Sequence, residues 1–456
     1  MDRHTAEPTV RDVPGERARE WVEYHQQASA PSTYVYDFVW DFLADAEGPF
    51  VTDVDGNVFL DFTSHVAAAP LGYNNPKIRD RLDAFDLPDP GKIAGQDFYA
   101  SGGWPPDDAA FPGPAELMHR LRDAASHYGA ERVFLSNSGA EAVENAIKIC
   151  YDHVEGDYGV CFQGAFHGRT LGTLSLNRSR AKYRDRFPQV DGIHDAPFCR
   201  DHTCSPETCS CGFFHEDLAG DPTSQLRKAL GESGYVNPDR TAYVILEPVQ
   251  GEGGYYVPSD AFMQEVADLC STHDVPLIVD EIQSGMGRTG EMWASDHFAI
   301  EPDVLTVAKG ARVGATIASE AIFPDRKGRI SSTWGAGDIV ASLQGVLTLE
   351  AIEDHDLLDN AARMGQHLDE LVADADLPAV VDRRGLGLMF AVEFATEQTR
   401  DAVVERAFRN GLLTLGCGRK SLRMLPPLDV TEREIETAVG LFEETVREVT
   451  AVETAD

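Results

Sequence analysis

At 456 residues, with 43% apolar and 25% charged side chains, the chain is too long for a single core and too apolar to be disordered. Its formal net charge of −37 and pI near 4.6 argue against nucleic acid or an anionic membrane surface as partner, since both need a basic face. No apolar run reaches the ~18–20 residues of a membrane span, and the polar N-terminus has no signal-peptide core, so a cytoplasmic protein is expected.

The acidic residues are spread along the chain rather than gathered in a tail. Lysine occurs only at 77, 92, 148, 182, 228, 309, 327 and 420. A dispersed acidic surface with few lysines suits a cytosol of molar salt, where screening shortens self-repulsion to about 3 Å. An ordinary acidic enzyme is the alternative.

In chain order, residues 15–30 form a short amphipathic stretch. "GPFVTDVDGNVFLDF" alternates apolar and polar residues around a hairpin signal, "DVDGN". A Gly- and Pro-rich loop spans 100–114. From about 115 to 310, helical patterns alternate with short apolar runs: "RVFLS", "YGVCFQ", "AYVILEP", "PLIVDE" and "DVLTVAKG". That alternation predicts an α/β fold, a mostly parallel sheet covered by helices, with ligands gathering beyond the carboxyl ends of the strands. Helical periodicity dominates 338–373. Strands follow at "LMFAVEF" and "SLRMLPPL", and a closing helix at "TEREIETAVGLFEETVREVTAV". There is no internal repeat.

Five motifs in the central region carry chemistry. In "FLSNSGAEAVENAIK" a strand ends near Leu135 and a helix starts near Ala140, an arrangement that is either an anion site at a helix N-terminus or a plain connection. "FQGAFHGRT" crowds an aromatic, a glycine and an arginine into one turn, or is an ordinary loop with a surface Arg. In "LEPVQGEGG", Glu247 ends an apolar strand, where a buried carboxylate needs a partner cation. "VDEIQSGMGRTG" and "LTVAKG" deliver Asp280 and Lys309 at two strand ends, either as a salt bridge or as a pyridoxal phosphate site. In the latter, a lysine binds the cofactor aldehyde as a Schiff base and an aspartate pairs with the protonated ring nitrogen.

Taken together, "NSGAEA", "FHGRT", "EPVQGEGG", "DEIQSGMGRTG", "VAKG", "STWG" (332–335) and "SLRMLPPL" (421–428) resemble the class-III, or omega-amino-acid, aminotransferases, in family order over nearly the whole chain. The resemblance implies the type I pyridoxal phosphate aminotransferase fold. A segment over 1–75 would pack with the small domain, a large cofactor-binding domain would span 76–345, and a small α+β domain would span 346–456. It further implies that Gly139 and Ala140 offer backbone N–H groups to the phosphate and that Phe166 stacks on the pyridine ring. Asp280 would pair with the ring nitrogen, Gln283 would reach the ring hydroxyl and Lys309 would be the Schiff-base lysine and proton carrier. Thr333 would bind phosphate from the neighbouring subunit, making the enzyme a homodimer with shared sites.

By the same resemblance, Arg423 clamps the α-carboxylate of glutamate or 2-oxoglutarate and Arg169 holds the distal carboxylate. Glu247 neutralises Arg423 when an ω-amine without an α-carboxylate is bound; a structural Glu247–Arg423 ion pair is the alternative. The donor expected is 4-aminobutyrate, with lysine (at its ε-amine), ornithine and acetylornithine as alternatives, and an aminomutase, racemase or decarboxylase of the same fold as a further one. "STWG", with Trp334, resembles the lysine ε-aminotransferases. A nicotinamide dehydrogenase is disfavoured because "GLGLMF" is only G-x-G and lies late in the chain. A non-catalytic cofactor- or metal-sensing protein is disfavoured by the intact Asp280 and Lys309.

An insertion, "CRDHTCSPETCSCGFFH", holds Cys199, Cys204, Cys209 and Cys211 with His202 and His215. Thiolates beside imidazole suit zinc, but C-x4-C-x4-C-x-C is not a common zinc spacing. The expectation is therefore a loop of unligated thiols, outside catalysis, with no metal. Cys150, Cys161, Cys270 and Cys417 sit in apolar runs and read as core residues.

Overall fold

The computed structural model describes residues 1–31, 37–89, 91–92, 99–231, 234–332 and 337–453. The chain divides into two compact units, Met1–Arg79 with Asp359–Asp456, and Asp80–Leu358.

The second unit is built on seven strands: β1 (Arg132–Ser136), β2 (Tyr158–Phe162), β3 (Ile193–Ala196), β4 (Thr241–Leu246), β5 (Leu277–Asp280), β6 (Val304–Val307) and β7 (Gly314–Ala318). Their order across the sheet is β1-β7-β6-β5-β4-β2-β3. β7 runs antiparallel to β1 and β6, and the remaining pairs are parallel. The apolar runs read as strands because both faces are covered, as a parallel sheet requires. Alternate residues serve opposite faces. Val160, Phe162, Val244, Leu246, Leu277 and Val279 pack with Phe262, Val266 and Leu269 of helix Asp260–Thr272. Cys161, Tyr243, Ile245, Ile278 and Val304 pack with Val143, Ala146, Ile147 and Cys150 of helix Gly139–Val154. Cys150, Cys161, Cys270 and Cys417 are buried as expected. β3 and β7 were not legible as strands. β7, "GATIA", is made mostly of Gly, Ala and Thr rather than an apolar run, and β3, "IHDA", interleaves charge with apolar residues.

In the first unit the expected hairpin forms. Phe50–Thr52 pairs antiparallel with Val58–Asp61, and Asp53 Oδ1 accepts the backbone N–H groups of Asp55 and Asn57 at 2.9 and 2.8 Å, closing the turn. A four-stranded antiparallel sheet takes Val380–Leu386, Met389–Phe394, Leu415–Cys417 and Ser421–Met424. The closing helix is Glu432–Glu453. Arg3 joins the first residues of the chain to the last segment: its guanidinium bonds Glu434 at 2.8 and 2.9 Å and Asp429 at 3.0 Å, in a buried network.

Candidate active site

Three backbone turns converge beyond the carboxyl ends of β2, β4, β5 and β6, and two glycines permit the approach. A Cβ on Gly139, first residue of helix Gly139–Val154, would stand 2.8 Å from Ile282 Cδ1. A Cβ on Gly168, whose φ is +131°, would stand 2.8 Å from Ala140 Cβ. Thus the helix N-terminus, the turn 166–169 and the turn after Asp280 lie against one another. Ser138 caps the helix by accepting the Glu141 N–H.

Asp280 ends β5 on the Ile278 face, the one covered by that helix. It is buried, and its Oδ2 lies 2.8 Å from His167 Nδ1 while Oδ1 accepts the Ile282 N–H at 3.1 Å. An ionised carboxylate only accepts, so Nδ1 carries the proton. The next residue, Glu281, is spent elsewhere: Ser295 N–H and Oγ bond one oxygen and Ser284 Oγ the other. On the neighbouring parallel strand Thr306 is in register with Asp280, and Lys309 follows three residues later, its N–H 3.4 Å from the Ile282 carbonyl. Asp280 and Lys309 therefore lie at adjacent strand ends.

Glu247 follows β4 directly. It is buried, and each carboxylate oxygen takes one backbone amide: Phe166 N–H at 2.9 Å and Gly251 N–H at 2.8 Å. Burial above all, with the Asp280 charge adding to it against a lowering by His167, pushes this carboxyl up to about 7. Phe166 meets Tyr183 edge-on at 5.8 Å between centroids, and the exposed Arg169 guanidinium lies over the Tyr183 ring at 4.5 Å. Arg423 belongs to the other unit, buried on strand Ser421–Met424 opposite Ala391. Thr333 and Trp334 lie outside the described residues.

Pyridoxal phosphate fits this arrangement. The helix N-terminus at Gly139 and Ala140 suits its phosphate, and Asp280 is a buried anion suited to a protonated ring nitrogen. Gln283 Oε1 and His167 Nε2 are buried with no hydrogen-bond partner among the described residues. The first is an acceptor ready for a hydroxyl donor.

Two residues escaped the sequence reading. His167 lies inside "FHGRT", but only the aromatic, the glycine and the arginine were credited there. Asn177 had no sequence signal at all. Its Oδ1 accepts the His167 N–H and its Nδ2 donates to the Gly168 carbonyl, both at 2.7 Å, which pins the turn carrying Phe166, His167 and Arg169.

A family model described as aminotransferase class-III matches residues 108–446. Acetylornithine aminotransferase from Methanothermobacter thermautotrophicus is 32% identical over 412 residues, covering 88% of this chain and 92% of that one. 4-Aminobutyrate aminotransferase from Mycobacterium leprae is 31% identical over 423 residues, covering 88% and 90%. Among solved structures, lysine aminotransferase from M. tuberculosis superposes with a TM-score of 0.82 at 27% identity, covering 95% of this chain and 99% of that one. The fold is the type I pyridoxal phosphate aminotransferase fold.

Proposed function

From the premise that the chain belongs to the class-III aminotransferases and uses pyridoxal phosphate, we propose that it moves an ω-amino group, with 4-aminobutyrate as donor, to 2-oxoglutarate in two half-reactions. The bound cofactor supplies an electron sink for the carbanion left when the amine-bearing carbon loses its proton. In this reading Gly139 and Ala140 hold the phosphate through backbone N–H groups, joined by Thr333 from a second copy in a homodimer. Phe166 lies against the ring, Asp280 holds a proton on the ring nitrogen, and Gln283 accepts from the ring hydroxyl. His167 positions Asp280. Lys309 Nζ takes the proton from the substrate carbon and returns it on the cofactor side, a step of general base catalysis worth typically ~10²–10⁴-fold. Arg423 is assigned the α-carboxylate of glutamate and Arg169 the distal carboxylate. Glu247 is assigned the neutralisation of Arg423 when the bound amine has no α-carboxylate.

The observation that carries the ω-amine reading is Glu247. It is a carboxylate held in the interior by two backbone amides, with a protonation equilibrium near neutrality. A group so placed can meet a guanidinium in one half-reaction and be released in the other. A second reading, lysine as donor at its ε-amine, is favoured by the superposition on lysine aminotransferase and by "STWG". The setting is a cytoplasm of high salt, supported by the −37 charge and by eight cysteines that form no disulfide; no described helix is long and apolar enough to cross a membrane.

A panel of 4-aminobutyrate, lysine, ornithine and acetylornithine with 2-oxoglutarate, read as glutamate formed, tests the proposal. 4-Aminobutyrate is expected to give the highest kcat/KM. Lysine in first place installs the second reading, and no glutamate from any ω-amine overturns both.

A further inference from the structure

In the insertion after β3 the thiols lie close together. A turn brings Cys204 N–H to the Asp201 carbonyl at 3.0 Å, and a second brings Thr208 N–H to the Ser205 carbonyl at 3.2 Å. The chain then enters a hairpin, Phe214–Glu216 against Pro222–Ser224. These turns fold the irregular cysteine spacing onto one point. The sulfurs of Cys199, Cys204 and Cys211 all lie within 4.8 Å of one another. Cys204 and Cys211 Sγ are 3.8 Å apart, and Cys209 Sγ is 3.4 Å from Cys211 Sγ. Cys199 and Cys204 are buried, and Cys209 and Cys211 are partly so.

We propose that Cys199, Cys204, Cys209 and Cys211 hold one tetrahedral zinc ion. Zn–S bonds of ~2.3 Å place the sulfurs of a tetrahedron roughly 3.8 Å apart, the spacing of Cys204 and Cys211, with Cys209 and Cys211 somewhat closer at 3.4 Å. Three sulfurs already form one face of that site, and Cys209 Sγ, outside the group of three but 3.4 Å from Cys211 Sγ, is the fourth ligand. An all-thiolate set selects zinc over magnesium or calcium, and sulfurs this close enclose a single ion rather than a multi-iron cluster. Binding replaces the four thiol protons, including that of Cys199, which now faces the Asp201 carbonyl at 3.1 Å. Outer-shell donors are in place: the Phe214 N–H points to Cys209 Sγ at 3.3 Å, and Ser259 Oγ lies 3.7 Å from Cys199 Sγ. Disulfides are the competing chemistry, but they join sulfurs in pairs at ~2.05 Å, whereas here Cys211 has both Cys204 and Cys209 as near neighbours.

The ion would act as a staple. Phe198 and Phe213 flank the cluster and meet Phe262 at 5.0 and 4.5 Å between ring centroids; Phe262 in turn meets Phe162, the last residue of β2, at 5.3 Å. The cluster thus packs into the core behind the strand that leads to Phe166. Among the described residues these sulfurs bond one another, Asp201, Ser205, Phe214 and Ser259, which assigns the ion a role in stability.

The test uses the full-length enzyme with its cofactor, purified without chelator after expression with added zinc. Elemental analysis is expected to find one zinc per chain, falling to a small fraction in Cys204→Ser and Cys211→Ser. Stripping the wild-type enzyme and refilling it with cobalt is expected to give the visible absorption of a tetrahedral thiolate site. Chelation should lower the melting temperature while the cofactor absorbance stays. The cobalt experiment needs no variant, so a variant that fails to fold leaves the proposal testable. Four thiols that titrate freely with no metal retained after zinc incubation would overturn it, as would disulfides in a non-reduced digest or iron in place of zinc.

Discussion

Replacing His167 with phenylalanine keeps the ring volume and removes the donor that faces Asp280. The two side chains are 0% and 4% exposed and 2.8 Å apart, so solvent neither screens the contact nor replaces it. A hydrogen bond to a charged group contributes about 1.5–3 kcal/mol. At 1.36 kcal/mol per decade, its loss from the transition state slows single-turnover transamination by about 10–150-fold. Of its hydrogen bonds among the described residues, Asp280 would keep that from the Ile282 N–H, at 3.1 Å. Removing the carboxylate itself, in Asp280→Ala, should slow the reaction by about 10²–10³-fold or more, as for other preorganised electrostatic groups. Cofactor should remain bound in both variants, because the proposed phosphate contacts are at Gly139, Ala140 and Thr333. If His167 acts by positioning Asp280, adding His167→Phe to Asp280→Ala slows the reaction no more than about twofold further, the signature of residues that work as a unit. Stopped-flow absorbance on all four forms measures the cycle, with thermal melting as control for folding. Fully additive losses would refute the coupling and leave His167 a packing residue.

Borohydride reduction of the resting enzyme followed by peptide mapping should place the cofactor on Lys309; a label on any of the other seven lysines would overturn its role. The raised Glu247 carboxyl makes the fold favour its protonated form. In the enzyme stripped of cofactor, that stabilisation is present below the ordinary carboxylate range and lost as pH rises to about 7, a fall of about 3 kcal/mol. Denaturant titrations at fixed salt should show this slope in wild type and a flatter one in Glu247→Gln. Glu247→Ala should slow the half-reaction with an ω-amine far more than that with glutamate, and equal slowing in stopped flow would reject the switch. Melting temperature should rise markedly from low salt to molar potassium chloride, and indifference to salt would reject halophilic adaptation.

Strand runs such as "YVIL" and "LIVD", the "DVDGN" hairpin and the order of motifs were all legible in the sequence. They depend on local periodicity, turn chemistry and residues adjacent in the chain. So was the pairing of Asp280 with Lys309 at neighbouring strand ends, because a parallel sheet places consecutive strand ends side by side. What the tertiary structure alone decided is who faces whom across long stretches of chain. His167 meets Asp280 113 residues away, and Phe166 gives its amide to Glu247 81 residues away. Neither contact has a local pattern, since a hydrogen bond at 2.8 Å is set by how strands stack and turns aim. The cysteines show the same division. Their spacing along the chain matches no common zinc motif, yet two turns bring the sulfurs of Cys199, Cys204 and Cys211 within 4.8 Å of one another, because a metal site is defined by distances in space and the sequence records only separations along the backbone.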